Sequence, residues 1–110
     1  MGFFENDIII TFTIASGNQE SDAQDMDAFR GGLLIFPATF DGTQVSVLQK
    51  DGEGDYLAVG DQFGNPLEIS ATNRIAYLLP SDFANLGDIK LKSDVSETGD
   101  RTLKMVARPY

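Results

Sequence analysis

A strand, a glycine-rich turn and a second strand in direct succession constrain the fold of this chain more than any other feature. Residues 44–49 read Gln-Val-Ser-Val-Leu-Gln, residues 50–55 Lys-Asp-Gly-Glu-Gly-Asp, and residues 56–59 Tyr-Leu-Ala-Val. Side chains alternate across a pleat, so Val45, Val47 and Gln49 share one side, and Ser46, Leu48 and Lys50 the other. Between the two runs, Gly52 and Gly54 permit positive φ, while Asp51 and Asp55 can bond to their own backbone. This predicts a β-hairpin with a loop longer than two residues and at least one of its glycines at positive φ. A lone hairpin cannot bury its apolar side, so a second sheet has to cover it.

The rest of the chain is written in the same way. Ile8, Ile10, Phe12 and Ile14 alternate with Ile9, Thr11 and Thr13, the clearest single strand in the sequence. Residues 20–27 carry Glu20, Asp22, Asp25 and Asp27, with Ala23 and Met26 as apolar points. They suit an edge strand protected by charge better than a helix. Leu33-Leu34-Ile35-Phe36, stopped by Pro37, is a continuous apolar run. It reads as a strand covered on both faces, or as one running between core and interface. Residues 67–70 and 74–79 are further strands. So are 88–92, with Ile89 and Leu91 inward, and 101–108, with Leu103, Met105 and Ala107 inward. Turns fall at 16–18, at 60–66, at 71–73 and at Phe40-Asp41-Gly42, where the Asp-Gly pair suits positive φ. Residues 81–86 form one helical turn capped by Ser81, and 93–100 a polar, mobile loop. Eight or nine short strands with turns every 8–12 residues predict an all-β fold, an antiparallel, jelly-roll-like β-sandwich. The single sandwich domain spans 8–110 and follows an N-terminal arm, 1–7.

Composition narrows the chemistry. A chain of 110 residues is one domain and buries roughly 65% of its unfolded surface on folding. No apolar run approaches the ~20 residues of a membrane span, and the start, Met1-Gly-Phe-Phe-Glu-Asn-Asp, lacks the basic region of a signal peptide. With no cysteine there is no thiol chemistry, and with no histidine the commonest general base and zinc ligand are missing. A formal net charge of −9, from 17 acids against 8 bases, disfavours direct nucleic-acid binding and anionic membranes. It suits high solubility on a crowded exterior surface.

Three features invite a site. Asp51, Glu53 and Asp55 alternate like the opening of a calcium loop. An EF-hand, however, needs glycine at its sixth position and glutamate at its twelfth, where this chain has Tyr56 and Gln62. Paired carboxylates serve glycosidases, but nothing in the sequence marks one pair as buried or tuned, so no catalytic residue, metal or cofactor is expected. Tyr56, Phe63 and Tyr77 are aromatics that could stack on a sugar, without the larger platform of tryptophan. Phe3 and Phe4, just before the first strand, either fold back on their own domain edge or dock on a partner subunit.

From Ile10 onwards the order of motifs is notable. Thr13-Ile14-Ala15-Ser16-Gly17 is followed by Glu20-Ser21-Asp22, and Phe36-Pro37-Ala38-Thr39-Phe40-Asp41-Gly42 comes next. Then come Gln49-Lys50-Asp51-Gly52, Asp61-Gln62-Phe63-Gly64-Asn65 and Ala76-Tyr77-Leu78-Leu79-Pro80. Ile89-Lys90-Leu91-Lys92-Ser93 and Asp100-Arg101-Thr102-Leu103 close the series. Each motif is short, and their order and spacing resemble a family of small tailed-bacteriophage virion proteins. Where that family often carries tryptophan this chain has Phe40, which keeps the bulk. The resemblance implies a jelly-roll-like sandwich in the virion, a capsid cement or decoration protein on the outer capsid surface, made in the host cytoplasm. It implies the major capsid protein as partner, a homotrimer as the unit, and no catalytic residues. Contact positions expected on this reading are Phe3, Phe4, Phe63, Asp94 and Val95. The strand rhythm is also similar to discoidin-like carbohydrate-binding modules, which implies a receptor-binding alternative on a fibre, tail or head surface.

Overall fold

The structure, a computed structural model, describes residues 8–26, 32–78 and 86–107. Its regular elements there are nine strands: β1 (Ile8–Ile14), β2 (Gln24–Asp25), β3 (Gly32–Ile35), β4 (Gln44–Lys50), β5 (Tyr56–Ala58), β6 (Glu68–Ser70), β7 (Ile75–Leu78), β8 (Asp88–Ser93) and β9 (Arg101–Ala107). They form two antiparallel sheets. Sheet A has the order β1-β9-β3-β7, and sheet B the order β2-β8-β4-β5, with β6 also paired to β4. Outside the β4-β5-β6 segment every connection crosses from one sheet to the other, so the two sheets form a β-sandwich.

Alternation decides which side chains enter the space between the sheets. Phe12 and Ile14 of β1, Leu34 of β3, and Leu103 and Met105 of β9 face Val45 and Val47 of β4, Ile69 of β6, and Ile89 and Leu91 of β8, all buried in one core. Phe36 joins them and tilts against Phe40, with ring centroids 5.1 Å apart. Phe40 is half-buried against the core and so keeps the bulk expected of it. The acidic segment 20–27 contributes the short edge strand β2, with Met26 fully buried but Ala23 exposed.

The hairpin of β4 and β5 forms with Lys50 opposite Tyr56 and Leu48 opposite Ala58. Gly54 takes φ +96, whereas Gly52 is not at positive φ. β6 pairs with the other half of the same β4 edge, from Gln44↔Ser70 to Ser46↔Glu68. Between β5 and β6 the chain leaves the sheet. Val59 donates its N–H to the Val47 carbonyl, Leu67 to Val59, and Val47 to Leu67. Residues 60–66 therefore project from the middle of the β4 edge as a separate excursion.

One expectation needs correction. Gly42 is not at positive φ. Its missing side chain is a matter of space, since a Cβ there would meet Asp94 Oδ1 and Ser93 Oγ at 2.5 Å. Leu48 shares its side of β4 with Ser46 and Lys50, and it is only 6% exposed. Its register neighbours are Lys90 and Ala58, and a lysine stem can cover apolar surface while its ammonium stays wet. The arm with Phe3 and Phe4, and residues 81–85 of the expected helical turn, lie outside the described residues.

Candidate interaction surface

The outward side of sheet A is a ladder of paired rows. Ile9 pairs with Val106, Val106 with Leu33, and Leu33 with Tyr77, one apolar residue from each of the four strands. The next row runs Thr11, Lys104, Ile35 and Ile75, and Thr13 sits opposite Thr102 in the row after it. Residues directly opposite in an antiparallel pair point to the same face, so these rows form one surface. Tyr77 is 87% exposed, Ile9 and Ile75 each 55%. Among the described residues no carboxylate lies in these rows, although the chain carries 17 acids. The single charge is Lys104. Beside it a cleft of about 270 Å³ is lined by Ile35, Pro37, Ala38, Arg74, Thr102 and Lys104 among others. Arg74 donates Nε–H to the Phe36 carbonyl (3.2 Å), and neither cation has an ion pair among the described residues.

Sheet B presents the opposite kind of exterior. Its outward rows hold Lys90, Lys92, Asp88, Gln44 and Glu68. Lys90 lies 3.8 Å from Glu20 and 4.4 Å above the ring of Tyr56. Gln44 donates to Glu68. This is a polar face that carries charges of both signs.

A second exposed apolar feature is the excursion 60–66. Asp61 organises it by accepting the N–H of Phe63 at 2.8 Å and of Asn65 at 2.9 Å, and the Asn65 side-chain amide at 3.0 Å. Asp61 N–H donates to the Asn65 carbonyl, Gly64 N–H to the Asp61 carbonyl, and Gly64 takes φ +87. The Asn65 backbone bond, before all others, holds the Asp61 carboxyl below its ordinary pKa. Phe63 thus stands on a well-tied turn and is 80% exposed. The β4–β5 tip is built alike: Asp51 accepts the N–H of Glu53 and Asp55, and Gly54 donates to the Asp51 carbonyl. The shared spelling, Asp-x-x-Gly-Asp and Asp-x-x-Gly-Asn ten residues apart, is a repeat the residue-by-residue reading passed over.

The loop 93–100, expected to be mobile, is instead tied into one end of the sandwich. Glu97 is buried, and its carboxylate accepts from the backbone N–H of Asp41 (2.9 Å) and Gly42 (3.2 Å), from Ser93 Oγ (2.9 Å) and from Arg101 Nε (3.2 Å). Its backbone bonds Gly17 and Asn18 of the β1–β2 turn. Arg101 also reaches Asp41 at 3.2 Å, and Asp41 accepts the Thr98 N–H and hydroxyl. The Thr98 N–H is the chief reason the Asp41 carboxyl is held below its ordinary pKa. Asp94 accepts from the backbone and hydroxyl of Thr43, and the hydroxyl bond is the main cause of its lowered pKa. The carboxylate of Asp94 is therefore committed to its own fold, while Val95 beside it is 41% exposed. The sequence reading missed this cluster, because the bonds that tie the loop to Asp41, Gly42 and Thr43 span more than fifty residues.

The candidate sugar platforms separate. Lys90 covers the Tyr56 ring, whereas Tyr77 and Phe63 are open but stand apart, Tyr77 on sheet A and Phe63 on the turn that leaves the edge of sheet B. Among the described residues no group of three or more acids is arranged to hold a metal ion. No helix there is long and apolar enough to cross a membrane.

No family model matches the chain, and no curated protein matches it by sequence. By structure it is similar to the crystal structure of the SPBc2 prophage-derived protein YomS, with a TM-score of 0.58 and 18% sequence identity over 92% of this chain and 93% of that one. The likeness is one of fold, and it spans nearly the full length of both molecules.

Proposed function

We propose that this protein is a structural virion component of a tailed bacteriophage, a capsid cement or decoration protein acting through protein–protein contacts and not as an enzyme. The observation that carries this reading is the outward face of sheet A, apolar and free of acids on a chain of net charge −9. Large exposed apolar patches mark interaction sites, and one kept clear of the prevailing charge favours contact over repulsion. The prophage origin of a full-length fold neighbour supports the setting. Cement adds burial across subunit seams and so raises the barrier to shell rupture without any chemistry. The proposed partner is the major capsid protein at the outer capsid surface, with a homotrimer as the unit.

The test is whether purified particles contain the protein and whether particles lacking it rupture at lower temperature. Absence from particles overturns the reading. A glycan-binding role is the second reading, favoured by the bare ring of Tyr77. Saturable binding on a glycan array that Tyr77→Ala abolishes would replace the first reading with the second.

A further inference from the structure

We infer that copies of this chain associate head to tail, with Phe63 of one copy seated on the outward face of sheet A of the next. This deepens the assembly role proposed above, and it names the contact within the oligomer without depending on where in a virion the oligomer sits.

Three observations lead to it. The first is charge. The turn that carries Phe63 holds the Asp61 carboxylate, with Glu68 at its root across the same cleft. The receiving face holds Lys104 and Arg74 and, among the described residues, no acid in its rows. Opposite charges thus flank two apolar surfaces that both lack a cover. The second is area. Four strands about 4.8 Å apart, with rows about 7 Å apart along them, give the face on the order of 300–400 Å². A stable partner contributes about 800 Å², so a face-to-face pair, like any single contact on this face, falls short, and each copy has to engage more than one surface. Such a pair would also oppose Lys104 and Arg74 with their own copies and leave Phe63 bare. In a head-to-tail arrangement each copy commits its face to one neighbour and its Phe63 turn to another. The third is placement. The 60–66 excursion leaves the β4 edge of sheet B, while the face belongs to sheet A. A single copy can therefore use both surfaces at once, as a heterologous, ring-closing contact requires. The turn is also held in place by its own hydrogen bonds before any partner arrives, so little order is lost on docking.

The test uses two variants of the whole chain, Phe63→Ser and Tyr77→Glu, followed by sedimentation velocity across the micromolar range. Both side chains are more than three-quarters exposed, so both variants are expected to keep the wild-type melting temperature. A variant that fails to fold is replaced by Lys104→Glu on the face or Asn65→Ala in the turn. Wild type is expected to associate, and each variant to weaken association about tenfold or more. Mixing the two variants is decisive. Phe63→Ser retains a sound face and Tyr77→Glu a sound Phe63 turn, so the mixture is expected to form a one-to-one pair that neither makes alone. A wild-type chain that stays monomeric overturns the inference. So does a variant mixture that stays monomeric while wild type associates, and so does a Phe63→Ser chain that associates as well as wild type, which is the result for a face-to-face pair. None of these outcomes decides whether the protein is found in particles, so the two readings fail separately.

Discussion

One end of the sandwich and one of its faces are built on opposite terms. At the Glu97 end, carboxylates of three acids bond backbone N–H groups and hydroxyls from loops far apart in sequence. On the outward face of sheet A, Ile9, Ile75 and Tyr77 are left uncovered, with hardly a charge among them. Polar groups satisfied internally hold the fold together. Exposed apolar rows add little to the stability of the isolated domain and gain only when something covers them. The first region serves the molecule itself; the second is the one proposed above to serve a partner.

The largest effect should come from breaking the self-satisfied end. Glu97→Ala leaves Arg101 Nε, the Ser93 hydroxyl and two backbone N–H groups without the Glu97 acceptor. Removing one member of a buried ion pair costs about 3–5 kcal/mol, so chemical denaturation should show a loss of that order. A loss within experimental error would mean the end is not what holds the loops.

Acid should probe the same end, and the 60–66 turn with it, without mutation. Asp41, Asp61 and Asp94 all have carboxyl pKa values below the ordinary 3.8 in the folded state. A group lowered in this way stabilises the fold above its unfolded pKa, and the stability is lost as pH falls through the folded value. With no histidine in the chain, the melting temperature should be nearly flat from about pH 5 to 8 and fall below about pH 4. A transition near pH 6 would contradict the assignment of stability to these carboxylates.

The two tips sharpen the comparison next. Gly54→Val and Gly64→Val each force a β-branched residue to positive φ, at a cost of about 1–2 kcal/mol. The space around both glycines is open, so the cost is conformational and should be similar for the two. Neutral results would remove the shared turn geometry.

The smallest stability effect belongs to the face. Ile75→Ser with Tyr77→Ser should change unfolding free energy by less than about 1 kcal/mol, while abolishing association. A large loss of stability would mean that the face belongs to the core and would erase the contrast with the Glu97 end.

Strands, turns and the sandwich were readable because their causes are local. Alternation in 8–14, 88–92 and 101–107 predicts strands from the two-residue period alone, and Asp51-Gly-Glu-Gly-Asp predicts a hairpin tip from side-chain bonding and permitted φ. The continuous run 33–36 signalled a strand covered on both faces or one between core and interface; Leu34 is inside, with Leu33 and Ile35 half-covered on the other side. The acid-free face was not read, because its rows join residues of four strands whose register is a long-range property.

Local chemistry was thus enough to require a β-sandwich, its turns and its acidic, thiol-free character. Which of two alternating sets faces inward depended on the opposing sheet. Ile75 and Tyr77 are as apolar as Ala76 and Leu78, and only packing chose the latter pair for the interior. Glu97 looks like any surface acid in its loop until folding brings Gly42, Ser93 and Arg101 around it. A buried carboxylate is tolerable only where several donors converge on it, and it is the fold that gathers those donors from separate parts of the chain.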